Sequence, residues 1–117
     1  MAAGVVQIPW YATVFRGDRF EAALREIAPV ALRYGASHYL VYRSKDDMYK
    51  FLQVATFETK LDFEAYWEGP EFREFRTIYS SHFQVPVLYT WADLVIEGGL
   101  DDAPKAISGA PQEDDSI

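Results

Sequence analysis

Two histidines, eight tyrosines and three tryptophans are the side chains of this sequence best suited to acid–base or aromatic chemistry near neutral pH. His38 stands inside a strand-like run between Ser37 and Tyr39. There it can serve as a general base, or as a hydrogen-bonded histidine at a sheet edge. His82 follows Ser80 and Ser81 at the end of a helical pattern, where a histidinium suits the helix dipole. The two histidines lack ligand spacing and the chain has no cysteine, so no metal site is expected. Tyr66 and Trp67 are neighbours on a helix and point about 100° apart, one to the core and the other to a rim or pocket. Phe72, Phe75 and Tyr79 recur at helical spacing and read as core or pocket wall. Gln7, Tyr11 and Thr13 share the more polar face of a strand, and that face is placed along the pocket. No Ser-His-Asp order, P-loop or Gly-x-Gly-x-x-Gly run is present. What remains is an aromatic slot with a few polar groups along it, a setting for a planar ligand.

The elements that must position these residues follow from periodicity. Residues 5–15 are rich in β-branched and aromatic types and predict a first strand, with Pro9 at an edge or near a distortion. Asp18 with Glu21 makes a capping-box pattern at the start of a helix. Phe20, Leu24, Ile27 and Ala31 form its apolar stripe. Pro29 kinks or shortens that helix, and Gly35 ends it. Residues 36–43 and 48–57 predict a hairpin around the polar turn Ser44–Asp47. Thr59 caps a second helix carrying Leu61, Phe63, Tyr66 and Trp67, and Pro70 restarts it after Gly69. Its charges, Glu64, Glu68, Glu71, Glu74, Arg73 and Arg76, contain no glutamate with a base four residues on, and read as a solvated face. Residues 84–96 predict the last strand. The order β-α-β-β-α-β is the α+β, ferredoxin-like arrangement. Both parities of the first and last strands are apolar, while the helices can cover only one face of the sheet. The second face therefore predicts a partner sheet, supplied most economically by a homodimer, with Trp10 and Trp91 available to the interface.

At 117 residues, one domain is expected. Eighteen acids face eleven bases, and six of the acids lie in residues 97–117 against Lys105 alone. The chain thus divides into a nearly neutral domain, residues 1–97, and an acidic tail, residues 98–117, expected to be disordered and available to a protein partner. The acidic balance excludes nucleic acid as a partner. No apolar run reaches the roughly 18 residues of a membrane span, and the first residues carry no secretory pattern. With no cysteine, the expectation is a cytoplasmic protein.

From Gly35 to Pro70 the chain resembles the antibiotic biosynthesis monooxygenase group of dimeric α+β barrels. Gly35 opens a strand that Arg43 ends. Tyr49 and Phe51 stand in the next, and Phe57-Glu58-Thr59 occupies the strand-to-helix junction where the family usually has Trp-Glu-Ser. Phe63, Tyr66 and Gly69-Pro70 follow. The resemblance implies a homodimeric barrel of the ferredoxin-like unit. It further implies a cofactor-independent monooxygenase acting on an aromatic or polyketide-like substrate. In that reading Tyr66 and Trp67 sandwich the substrate, and Tyr11, Thr13 and His38 position or deprotonate it. Phe72, Phe75 and Tyr79 complete the wall. His38 and Tyr66 are then the catalytic residues, and no cofactor is required. The haem-degrading branch of the superfamily uses a histidine where this chain has Phe75, and a tryptophan where it has Tyr66, which counts against haem. The alternatives on the same scaffold are a non-catalytic dimeric module that binds a ligand or a protein, and a cyclase or isomerase.

Overall fold

The computed structural model describes residues 3–102. The proposed disorder and partner contact of the tail therefore fall, for residues 103–117, outside the described residues.

Four strands, β1 (Gly4–Tyr11), β2 (Ala36–Arg43), β3 (Lys50–Phe57) and β4 (Thr90–Asp93), form one antiparallel sheet in the order β2-β3-β1-β4. Three α-helices, α1 (Gly17–Ile27), α2 (Lys60–Glu68) and α3 (Pro70–Ile78), cover one face. This is the predicted β-α-β-β-α-β order. In β1, Val6, Ile8 and Trp10 are buried and alternate with Gln7, Pro9 and Tyr11 on the other face. Pro9 lies beyond Gln7, the last residue paired with β4, so its missing N–H breaks no ladder on that side.

Helix α1 ends before Pro29, and a 3₁₀ turn, Pro29–Tyr34, carries the chain to Gly35. Gly35 adopts φ +100°, the left-handed conformation that a C-terminal stop requires. Thr59 Oγ1 accepts the Asp62 N–H at 3.2 Å and starts α2 as predicted. Pro70 occupies the first turn of α3.

Four expectations change. The third strand begins at Lys50, two residues later than expected, and leaves Met48 and Tyr49 in the turn. The first strand stops at Tyr11, because residues 13–16 turn, with Phe15 at φ +69°. The last strand contracts to Thr90–Asp93. Upstream, only Phe83 bridges to Ala12, and the chain leaves the sheet through Pro86, which has no N–H to donate. The capping box at Asp18 and Glu21 does not form. Helix α1 begins at Gly17 with no side-chain cap, because both carboxylates turn to Arg43.

The core between helices and sheet is aromatic. Trp10 is 1% exposed and meets Phe20, Phe72, Phe75 and Phe83 at 5.0–6.2 Å between ring centroids. Trp10 thus belongs to the core, and Trp91 lies against Phe63 on the same face at 6.4 Å. The opposite face carries Val5, Leu52, Val54, Leu40 and Tyr42 beside Gln7, Thr56 and His38. Among the described residues no helix covers it; Leu40 is 38% exposed and Tyr42 is 54% exposed. No helix among the described residues is long and apolar enough to cross a membrane.

Candidate functional site

A groove of about 410 Å³ opens between α1 and the edge of the sheet. Its volume lies in the range of small-molecule pockets. Helix α1 supplies Glu21, Leu24 and Arg25, and the turn after it supplies Ala28 and Pro29. The sheet supplies Tyr39, Val41 and Arg43 from β2 and Phe51 from β3. Strand β2 is an edge strand, which is why the groove opens sideways. Leu24, Ala28, Pro29, Val41 and Phe51 form the apolar part, and the four remaining side chains are polar.

Arg43 is fixed from several sides. Its Nε donates to the Met48 carbonyl at 2.7 Å. Its Nη1 donates to Glu21 Oε1 at 2.8 Å and to Asp18 Oδ1 at 2.9 Å. The guanidinium lies 5.0 Å from the Phe51 ring centroid, a cation–π distance. Gly17 makes room for it, since a Cβ there would stand 2.6 Å from Arg43 Nη2. Glu21 also accepts from Arg25 at 2.9 Å. Hydrogen bonds from Arg43 and then Arg25 hold the Glu21 carboxyl below the usual carboxylate range, against its partial desolvation. The hydrogen bond to Asp18 in turn raises Arg43.

The residues singled out from sequence fall in several places. Tyr66 is fully buried. Its hydroxyl donates to the Ile27 carbonyl at 2.6 Å and accepts from Gln53 Nε2 at 3.0 Å, while Gln53 Oε1 accepts from Trp10 Nε1 at 3.0 Å. Burial pushes the Tyr66 phenol far above its ordinary range. The hydroxyl is thereby a structural clasp on the end of α1. Phe72 and Phe75 are core residues. Trp67 is half-buried beneath Arg76, whose guanidinium lies 4.3 Å from its ring and donates to its carbonyl at 2.8 Å. Phe75 and Tyr79 also line a smaller cleft of about 190 Å³ between α1 and α3.

Tyr11 donates to Asp47 Oδ2 at 2.7 Å, and Thr13 donates to the Ser81 carbonyl at 2.8 Å. His38 is exposed and pairs with Thr56 on the face away from the helices. The structure therefore brings Tyr66, Trp67, Phe72 and Phe75 together, and sets His38 and Tyr11 on the other side of the sheet. His38 and Tyr66 do not meet. His82 lies beside Tyr79 at 5.4 Å, and burial, with Arg16 and Arg19 nearby, lowers its imidazole. Among the described residues no group of three or more His, Cys, Asp or Glu is placed to hold a metal.

Tyr39, Glu21 and Arg25 were not evident as site residues in the sequence. The signals were faint: a Glu and an Arg four residues apart on one helix, and an Arg closing a strand. The solvated reading of the second helical segment needs two amendments: Arg76 is partly buried over Trp67, and Glu71 is committed to other elements. Glu71 accepts from the Tyr34 hydroxyl at 2.6 Å and from Arg33 at 3.3 Å, joining α3 to the 3₁₀ turn.

No protein-family model matches the sequence, and no curated protein matches it significantly. Solved structures do. One from Nitrosomonas europaea, provisionally named an antibiotic biosynthesis monooxygenase, superposes with TM-score 0.73 at 17% identity, over 83% of this chain and 94% of its own. Another with that provisional name, from Bordetella bronchiseptica, gives TM-score 0.72 at 18% identity, over 82% and 100%. A mutant of SnoaB, a cofactor-independent oxygenase from Streptomyces nogalater, gives TM-score 0.71 at 12% identity, over 83% and 97%. This chain has the antibiotic biosynthesis monooxygenase fold. The resemblance read from Gly35 to Pro70 thus holds at the level of architecture, in a unit of four strands and three helices.

Proposed function

We propose that this chain is a cytoplasmic homodimer that binds a small planar aromatic ligand in the groove between α1 and β2, and that it oxygenates that ligand without a cofactor. The groove itself carries the reading: a trough of ligand size lined by apolar side chains together with a phenol, two guanidiniums and a carboxylate. SnoaB, a structural neighbour, is a cofactor-independent oxygenase, which supports the reaction class. Dimerisation is supported by the apolar, uncovered sheet face.

In such a reaction the substrate supplies the electrons. An activated CH₂ flanked by aromatic rings loses a proton, and the resulting anion adds O₂. Loss of water from the hydroperoxide leaves a ketone. One oxygen enters the product and the other leaves as water. The protein's part is to orient the ring, exclude water and hold the enolate oxygen. In the groove the accessible side chains Pro29 and Val41 would hold the ring over the buried Leu24 and Phe51, and the Tyr39 hydroxyl would donate to the oxygen. Tyr66 acts at one remove, by fixing Ile27 and hence Ala28 and Pro29 in the groove wall. The other buried aromatics singled out from sequence, Phe72 and Phe75, form the rigid layer behind that wall.

The test is O₂ consumption with anthrone-type substrates, compared among wild type, Tyr39→Phe and Val41→Trp. Turnover that falls at least about tenfold in both variants, with unchanged circular dichroism, supports the reading. Full activity in Val41→Trp, which fills the groove, overturns the site. A second reading, a non-catalytic ligand-binding module, is favoured by one observation: Glu21, the only carboxylate lining the groove, is already held by Arg43 and Arg25. Ligand binding at the groove without O₂ consumption would select it.

A further inference from the structure

We infer that the groove selects a planar aromatic carboxylate, and that Arg25 recognises its negative charge. This rests on the groove being the ligand site. Two guanidiniums, Arg25 and Arg43, line it against one carboxylate, Glu21. Asp18 also reaches Arg43, but its side chain is 95% exposed and lies outside the lining. With Asp18 on Arg43 and Glu21 between the two arginines the cluster is balanced, and the guanidinium left accessible to a ligand is that of Arg25. Glu21 contributes its full negative charge at neutral pH, since both arginines stabilise it as the anion.

Three carbonyls at the helix end are partnered, Leu24 by the Ala28 N–H, Ile27 by Tyr66 and Ala28 by the Ala31 N–H, while Pro29 has no N–H to offer the Arg25 carbonyl. The charges left for a ligand are those of side chains. The two arginines differ in what they can give. Arg43 is 22% exposed and committed to Met48, Asp18 and Glu21. Arg25 is 76% exposed and touches only one oxygen, Glu21 Oε2, through Nε and Nη2. It can turn to a second carboxylate while Arg43 keeps Glu21 in place. Arginine meets a carboxylate with two parallel donors. A carboxylate is also already ionised on arrival, whereas a simple phenol at neutral pH is not. The accessible apolar surface of Pro29, Tyr39 and Val41 takes the rings.

Three probes of one shape and different charge test this: 2-naphthoate, 2-naphthamide and 2-naphthol. Binding is followed by calorimetry and by amide shifts of residues 21–28 and 39–43 in the full-length protein. The expected result is that naphthoate binds about tenfold more tightly than the other two, and that Arg25→Gln brings the three within about twofold. Raising the salt should narrow the difference in wild type, because Arg25 is exposed. Shifts at the groove with equal affinities would overturn the charge preference and leave the groove as the ligand site. A preference undiminished in Arg25→Gln would overturn the assignment to that residue. No groove shift with any probe would remove the ligand site itself.

Discussion

Tyr66 shows how a residue type can be read correctly as important and be placed differently by the chain. A tyrosine beside a tryptophan on an amphipathic helix suits an aromatic slot. In the structure its hydroxyl is consumed by Ile27 and Gln53, and it is the middle of a buried chain running from Trp10. Tyr66→Phe leaves the Ile27 carbonyl and a Gln53 N–H unpaired in the core. The expected cost is about 1–3 kcal/mol in denaturant unfolding, with the m-value unchanged. A neutral substitution would show that the two groups find other partners. Tyr39 lies the other way: one aromatic among many in the sequence, it lines the groove because β2 is at the sheet edge.

At the scale of elements, the joins between secondary structures are polar and sensitive to acid. Glu21 ties α1 to β2 through Arg43. Asp47, held low by the Tyr11 hydroxyl and the Tyr49 N–H, ties the hairpin turn to β1. Glu71, held low chiefly by the Tyr34 hydroxyl, ties α3 to the 3₁₀ turn. Each carboxyl has a lower pKa folded than unfolded. Each therefore stabilises the fold fully above the ordinary carboxylate value of about 4, and that contribution drains as pH falls through the depressed value. The expected melting temperature declines slightly from about pH 7 to 5, where His82 takes up its proton more readily in the unfolded chain, and falls further from about pH 4 downward. Arg25→Gln should lose less on going from pH 6 to pH 3, because Glu21 then sits nearer its ordinary value. An equal acid loss in the two proteins would exclude the Arg25–Glu21 bond as a contributor. Much of this level was legible in the sequence. Thr59, Pro29, Gly35, Gly69 and Pro70 act locally, and each stands at the boundary it predicted. The capping box did not form, because a nearby guanidinium competes better for a carboxylate than a backbone N–H does.

For the whole molecule, the prediction concerns the open sheet face. Val54 stands near its centre, opposite Gln7 on one side and Leu40 on the other. Val54→Lys should convert a dimer into a folded monomer at micromolar concentration, seen by light scattering with unchanged circular dichroism. A wild-type monomer would remove the homodimer, and with it the reason for apolar residues on that face. The sequence by itself determined the order of elements, the α+β architecture and the apolar character of both sheet faces. These follow from periodicity and turn chemistry, which act over a few residues. Only the tertiary structure decided which residues share a site. Strand order placed β2 at the edge, so that Tyr39 and Arg43 could meet Glu21 and Arg25. Pleating set His38 on the face opposite Tyr66. Both outcomes depend on pairing between distant segments, and no local pattern encodes the partner across the sheet.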